Sequence, residues 1–322
     1  MTACNHRNKS LSFYYWRTSL HLDSVEKKSI YTQCNGPLYI RYFDIDLLPE
    51  NGQPVPVTPL ISDTSMPNMN IVPVVYIKNG VLQKLDSAGI EALLPRMHLL
   101  INHINQTLHN TPTAIQFDCD WTESTRRNYF LLLRRFKELY TQSVSATIRL
   151  HQVKYPLRTG IPPVDKGVLM YYNMGDIDTS ATNSIYDASI ASRYIASLKT
   201  YPLPLDIALP IFGWSQLIRD GHVVKLLNKM NFQHFQNDTN FNRVADNRYV
   251  VKTACFHGGY YFKANDIVKA EHVTESDLLE IVSQINNNSN KRIGNLILYD
   301  LDKENLVLYD KNSFQKILDH LN

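Results

Sequence analysis

Apolar and polar positions along the 322-residue chain fall into short β-rich runs separated by stretches with helical spacing. The runs are Phe13 to Thr18, Leu38 to Ile45, Ile71 to Lys78, Ala114 to Trp121, Ala146 to Val153, Gly167 to Asn173, Leu205 to Trp214 and Asn295 to Leu301. Between them, Ala88 to Leu108, Thr125 to Tyr140, Ile185 to Leu198 and Glu275 to Ile285 carry apolar residues three and four apart. That is the period of a helix with one buried face, and Ser313 to Leu321 closes the chain in the same way. Thr122-Glu123-Ser124 and Thr274-Glu275-Ser276 stand where helix N-caps are expected. Eight repeats of strand and helix predict an α/β fold, a parallel (β/α)8 or TIM barrel. A doubly wound open sheet is the alternative, weakened because no glycine-rich loop follows the first strand.

The interval between the seventh and eighth strands is too long for one crossover helix. Residues 215–290 are expected to hold an excursion from the barrel. Within it, Tyr249 to Phe262 reads as two β-rich segments around His257-Gly258-Gly259, a hairpin. Glu50 to Asn70 is proline-rich and polar, a long loop after the second strand. The expected organisation is a polar tether over residues 1–10 and one barrel over 11–322.

Composition narrows the function classes. The chain is 44% apolar and 20% charged, which are globular values, and it is long enough to bury a core without covalent staples. A net charge of +3 is too small to argue for nucleic acid. The densest basic stretch, Thr125 to Lys137, reads as the solvated face of an amphipathic helix. Cys4, Cys34, Cys119 and Cys255 form no C-x-x-C pair, and neither H-x-H nor H-E-x-x-H occurs. No metal site and no cofactor are therefore expected. No apolar run reaches the roughly 18 residues of a spanning helix. Met1-Thr2-Ala3-Cys4 resembles the tail of a bacterial lipoprotein signal without its charged and apolar parts. On that reading Cys4 carries lipid and attaches the domain to the cell envelope. Chance is the alternative.

Barrel sites form at the C-terminal ends of the strands, and the chain concentrates its polar residues there. In the fourth strand Ile115, Phe117 and Cys119 alternate with Gln116, Asp118 and Asp120. Alternation aims the polar set at the barrel axis. Two carboxylates placed there require cations, hydrogen bonds or a retained proton. Arg149, on the same side of the fifth strand as Thr147 and His151, is the expected neighbour of Asp118. Arg41 and Arg17 are further cations. An ion-pair lattice that merely plugs the barrel is the alternative to a ligand pocket. Trp16, Trp121 and Trp214 end three strands, and Tyr171 and Tyr172 lie on the sixth. Aromatic faces stack on sugar rings while carboxylates and amides bind hydroxyls; Trp121 is expected to pack on a helix instead.

Three segments together resemble the family 18 glycoside hydrolases, the chitinase-like barrels. The family's D-x-x-D-x-D-x-E, M-x-Y-D and G-x-P-x-Y-G motifs correspond to Asp118-Cys119-Asp120-Trp121-Thr122, Met170-Tyr171-Tyr172-Asn173 and Ala208-Leu209-Pro210-Ile211-Phe212-Gly213. Order and spacing fit, including an insertion before the eighth strand. The whole chain resembles still more a bacterial family of envelope-associated barrels related to that clan. The resemblance implies an oligosaccharide or polysaccharide ligand steered by Asp118, Asp120 and Tyr172; Trp16, Arg41, Arg149, His151, Asn173, Asp176 and Trp214, at or just after the strand ends, are the expected binding residues. The departures are as telling. Thr122 stands where the family has its acid glutamate, Ile115 replaces its first aspartate and Asn173 its strand-six aspartate. Residues two apart on a strand are roughly 6.5–7 Å apart, within reach of inverting carboxyl pairs, yet both project from one wall. Asp176, Asp178, Asp300 and Asp302 are the alternative second carboxyls. Two readings stay open: a glycosidase-like hydrolase with Asp120 as acid and Asp118 as its electrostatic partner, and a non-catalytic glycan-binding barrel. The oligomeric state is open, with a monomer favoured.

Overall fold

A computed structural model describes residues 9–62, 66, 69–180, 182–289 and 293–322. Its strands in chain order are β1 (Ser10–Tyr15), β2 (Leu38–Leu47), β3 (Pro54–Val57), β4 (Ile71–Ile77), β5 (Ala114–Asp118), β6 (Ser143–Arg149), β7 (Lys166–Met170) and β8 (Leu205–Pro210). After these come β9 (Gly213–Arg219), β10 (His222–Asn228), β11 (Phe241–Ala245), β12 (Arg248–Val251), β13 (Cys255–His257), β14 (Tyr260–Phe262), β15 (Ile267–His272) and β16 (Asn295–Tyr299). Eight of them, β1, β2, β4, β5, β6, β7, β8 and β16, pair in parallel, and the β1–β2 pairing closes the ring. The chain is a (β/α)8 barrel, and β3 is a hairpin partner at the end of β2.

The helices form where the spacing requires a buried face. Helix Ser87–Leu108 buries Ile90, Leu93, Leu94, Met97, Ile101, Ile104 and Leu108 against the strands. Each such side chain contributes roughly 1.5–3 kcal/mol. The Asp86 carboxylate caps its start by accepting from Gly89 N at 2.7 Å. At Glu275–Asn288 the cap is Thr274, in a reciprocal box with Asp277. Thr122, Glu123 and Ser124 do not cap the helix that follows. It runs Arg126–Leu139, and the Thr125 hydroxyl accepts from Thr122 N instead of a helix N–H. Helix Ser24–Gln33 has only a weak apolar pattern, yet Asp23 and Glu26 close a capping box at its start.

Most predicted strands end early: the first stops at Tyr15, the fourth at Asp118, short of Asp120, the sixth at Met170 and the eighth at Tyr299. Two further stops relocate expected site residues. The fifth stops at Arg149, and Leu150–Lys154 is a short helix, so His151 is not a strand residue. The seventh stops at Pro210, and Trp214 lies on β9 of the insert. The insert is a five-stranded antiparallel sheet ordered β10-β9-β15-β12-β11. It has its own apolar cluster of Leu217, Leu227, Phe235, Phe241, Tyr249, Val251, Phe262 and Val268. Tyr249–Val251 pair inside this sheet, while the hairpin is β13 with β14, turned by Gly258 and Gly259 at positive φ. Gly213 marks the exit from the barrel. A Cβ there would lie 2.7 Å from the Glu271 carbonyl oxygen, so a side chain would push β9 off β15. No described helix is long and apolar enough to cross a membrane. Cys4 lies outside the described residues.

Candidate functional site

Register decides which charges meet at the strand ends. β5 and β6 align Ala114 with Ser143 and Phe117 with Ala146. The same offset carried forward sets Asp118 level with Thr147 and Asp120 level with Arg149. Thr147 Oγ1 donates to Asp118 Oδ1 at 2.7 Å. Arg149 Nε and Nη2 donate to the two Asp120 oxygens at 2.6 and 3.0 Å, a bidentate pair. Arg149 is thus the direct partner of Asp120, and its expected contact with Asp118 is corrected to a longer-range one. Alternation holds: Gln116 Oε1 accepts from Tyr14 OH at 2.6 Å inside the barrel, while Phe117 packs on Phe136 of helix Arg126–Leu139.

Asp118 is 7% exposed. Burial, with the charges of Asp120 and Asp44 adding to it, pushes its carboxyl up to about 6 against the pull of Thr147 and Arg149. Arg149 is held firmly protonated: burial works against its charge, but the Asp120 carboxylate outweighs it.

A cavity of about 430 Å³ opens beside this pair, over the ends of β5, β6 and β7. Asp120, Thr122, Arg149, His151, Tyr172 and Asn173 supply its polar groups, and Trp121, Tyr194, Ile190, Leu150 and Met174 its apolar wall. Desolvation and the Arg149 charge push the His151 imidazole below its ordinary value. Trp121 also stacks on Tyr129 and donates its Nε1–H to Thr159 O at 2.9 Å, the expected helix-packing role.

The centre of the mouth is occupied by aromatic rings. Tyr172 stacks on Tyr299 with centroids 5.3 Å apart, and Tyr14, Trp16 and Phe212 each approach Tyr299 at 5.7 Å. Asp118 lies below this layer and does not line the cavity. The expected single cleft is therefore divided. Asp120, Arg149, His151, Tyr172 and Asn173 share the cavity. Trp16 lines a separate cleft with Arg17, Thr18, Ser19 and His21. Arg41 is paired with Asp44, at 2.8 and 2.5 Å. Trp214 donates to Glu271 in the insert. Asp176 is exposed on the loop after β7, outside the cavity lining.

The alternative carboxyls have structural engagements. Asp178 accepts from Ser180 in a turn, and Asp302 caps a short helix while Lys229 donates to it at 2.5 Å. Asp300 accepts from Asn305 Nδ2 at 2.6 Å, and burial together with Asp302 pushes it up to about 6. Tyr194 is a site residue that patterning does not single out, and Thr147, placed by alternation on the side of Arg149, is identified as the partner of Asp118 only by register. Tyr194 comes from helix Ala188–Ile195, where it reads as an ordinary amphipathic position. Among the described residues no group of three or more His, Cys, Asp or Glu is placed to hold a metal.

No family model matches the chain, and no curated protein matches it in sequence. Solved structures do match its fold. The spore cortex-lytic enzyme SleL of Bacillus cereus superposes with a TM-score of 0.57 at 10% identity, covering 98% of this chain and 74% of that one. The Group IV chitinase of Ostrinia furnacalis gives 0.55 at 11%, covering 98% and 99%. The chitinase-like agglutinin of Robinia pseudoacacia gives 0.51 at 12%, covering 95% and 98%. The chain has the fold of chitinases and chitinase-like proteins, as the family 18 motifs imply.

Proposed function

We propose that this chain is a chitinase-like barrel that binds an oligosaccharide of the acetamido-sugar class in the β5–β7 cavity without cleaving it. One observation carries the reading. Asp120 is the carboxylate of the cavity lining, and Arg149 occupies both its oxygens, while a threonine stands at position 122. Glycoside hydrolysis requires a carboxylic acid free to protonate the leaving oxygen and a second carboxylate or its equivalent. With Arg149 donating to both its oxygens, Asp120 is engaged as an acceptor in an ion pair rather than presented as a proton donor. The cavity otherwise suits a sugar: its volume lies within the roughly 300–1,000 Å³ of small-ligand sites. Tyr194, partly exposed, offers a ring face in front of the buried rings of Trp121 and Tyr172, and Asn173, Thr122 and His151 offer hydroxyl partners. The chitinase and the cortex-lytic enzyme among its fold neighbours are named as enzymes, and the agglutinin as a binding protein.

The hydrolase reading keeps one specific support, the Asp118 carboxyl pushed up to about 6, which retains a proton at mildly acidic pH. Its place beneath Tyr172 and outside the cavity weighs against a direct role. Titration calorimetry with triacetylchitotriose tests the proposal. Saturable binding weakened at least tenfold by Arg149→Ala is the expected result. A wild-type chain that gives no binding heat with this or other acetamido sugars would sink it.

A further inference from the structure

The insert reaches the cavity through a buried charged pair that the binding site itself does not use. Lys269 Nζ and Glu271 Oε1 lie 2.7 Å apart on β15, and neither side chain is exposed to solvent. Both then reach across to the chain that follows β7. Lys269 Nζ donates to Thr182 O at 2.7 Å. Ser184 Oγ donates to Glu271 Oε2, and Ser184 N donates to Oε1 at 3.2 Å. From β9, Trp214 Nε1 and Gln216 Nε2 donate to Glu271 Oε2 at 2.9 and 3.1 Å. Asn183 Nδ2 adds a bond to His272 O at 2.9 Å. Burial pushes the Glu271 carboxyl up, but these donors, Lys269 first, hold it below the ordinary carboxylate value.

The tethered chain is the support of the cavity wall. Ser184 O accepts from Met174 N at 3.1 Å and from Gly175 N at 3.2 Å, and Ile185 O accepts from Asn173 N at 2.9 Å. Asn173 and Met174 both line the cavity. Asn173 has a φ of 55°, a left-handed conformation that asparagine tolerates better than most residues with a side chain. Hydrogen bonds therefore run from the buried pair through Ser184 to Met174 of the wall, and the next residue, Ile185, holds Asn173. An ion pair removed from water is a poor source of net stability, since a well-packed apolar pair often does as well. Holding one arrangement of a loop is a task that it performs better.

We propose that Lys269 and Glu271 are positioning residues. They fix the loop through Ser184 so that Asn173 and Met174 keep the shape of the cavity, and ligand affinity depends on the insert. The affinity half of this inference rests on the glycan-binding reading; the tether half does not. The test uses the full chain carrying Lys269→Met with Glu271→Gln, which removes both charges at similar volume. Hydrogen exchange by mass spectrometry is read together with triacetylchitotriose affinity. Amides of Asn173, Met174 and Gly175 are expected to exchange at least tenfold faster while β9 and β15 keep their protection, and Kd is expected to rise at least tenfold. Unchanged exchange at these three amides in a folded variant overturns the tether, whether or not the wild type binds sugar. Faster exchange with unchanged affinity overturns the link to the cavity. Should the double variant not fold, Ser184→Ala, which removes a single hydroxyl, carries the same measurements and the same outcomes. A wild type that binds no acetamido sugar brings down the glycan reading alone, and the exchange result still decides the tether.

Discussion

Asp118 in the barrel and Glu271 in the insert are carboxyl groups taken out of water to a similar degree, at 7% and 2% exposure. Their surroundings differ. Asp118 accepts one side-chain hydrogen bond among the described residues, from Thr147. Glu271 is ringed by Lys269, Ser184, Trp214 and Gln216. Burial accordingly wins at Asp118, whose carboxyl is pushed up, and loses at Glu271, which is held down. The contrast teaches that depth alone does not set a buried acid's charge; the supply of donors does. A saturated carboxylate behaves as scaffold, whereas an under-supplied one beneath a cavity keeps a charge state that the medium can change.

The largest expected effect comes from breaking the saturated site on one side only. Lys269→Met leaves Glu271 charged and buried without its cation, which costs about 3–5 kcal/mol. Chemical denaturation at pH 7 measures it. A loss below about 1 kcal/mol would mean that the pair is not isolated from water, and the comparison with Asp118 would fail.

Next in size is the under-supplied site, where the sign reverses. The folded Asp118 holds its proton up to about pH 6, whereas the unfolded chain releases it near pH 4, at about the ordinary carboxylate value. The folded state therefore binds more protons across that window, and stability falls as pH rises through it. Above pH 7 the penalty is about 3 kcal/mol, from roughly two units at 1.36 kcal/mol each. Asp118→Asn should raise stability by up to about that amount at pH 7.5, with the gain vanishing below pH 4. Asp300, pushed up to about 6 as well, leaves part of the slope in place. Glu271 titrates with the opposite sign: its stabilisation is present above the ordinary carboxylate value and is lost as pH falls through its depressed one. A gain from Asp118→Asn that grew toward acid would contradict the assignment.

The smallest effect on stability is expected at the partly exposed pair, where the Arg149 side chain is 24% exposed. Asp120 is half exposed, at 52% of its side chain, and such pairs are worth about 0–1 kcal/mol. Arg149→Ala should therefore leave thermal unfolding nearly unchanged while weakening sugar binding. A stability loss comparable to that of Lys269→Met would make Arg149 a scaffold residue.

Much of this was legible in the chain. The eight-strand barrel followed from repeated runs of period two and period 3.6, and the inward aim of Gln116 and Asp118 followed from alternation, whereas β5 ends before Asp120, which lies half exposed at the cavity. What alternation could not supply was register between strands. The offset that sets Thr147 beside Asp118 and Arg149 beside Asp120 depends on a loop and a helix whose lengths do not encode it. His151 and Trp214 were misplaced because apolar runs continue past the ends of β6 and β8 into a helical turn and into the insert sheet. Helix Ser24–Gln33 was missed for its polar face, although the Asp23 to Glu26 spacing signals its start. The Glu271 network was invisible because it joins β9, β15 and the loop after β7, which are distant in sequence.

Binding without cleavage is the central claim, and product analysis tests it most directly. Chitopentaose labelled at its reducing end, held with the wild-type chain for a day at pH 5 and at pH 7.5, spans both charge states of Asp118. The account predicts that mass spectrometry recovers the labelled pentamer intact at both values. Shorter labelled sugars, formed by the wild type and not by Asp120→Asn, would contradict it.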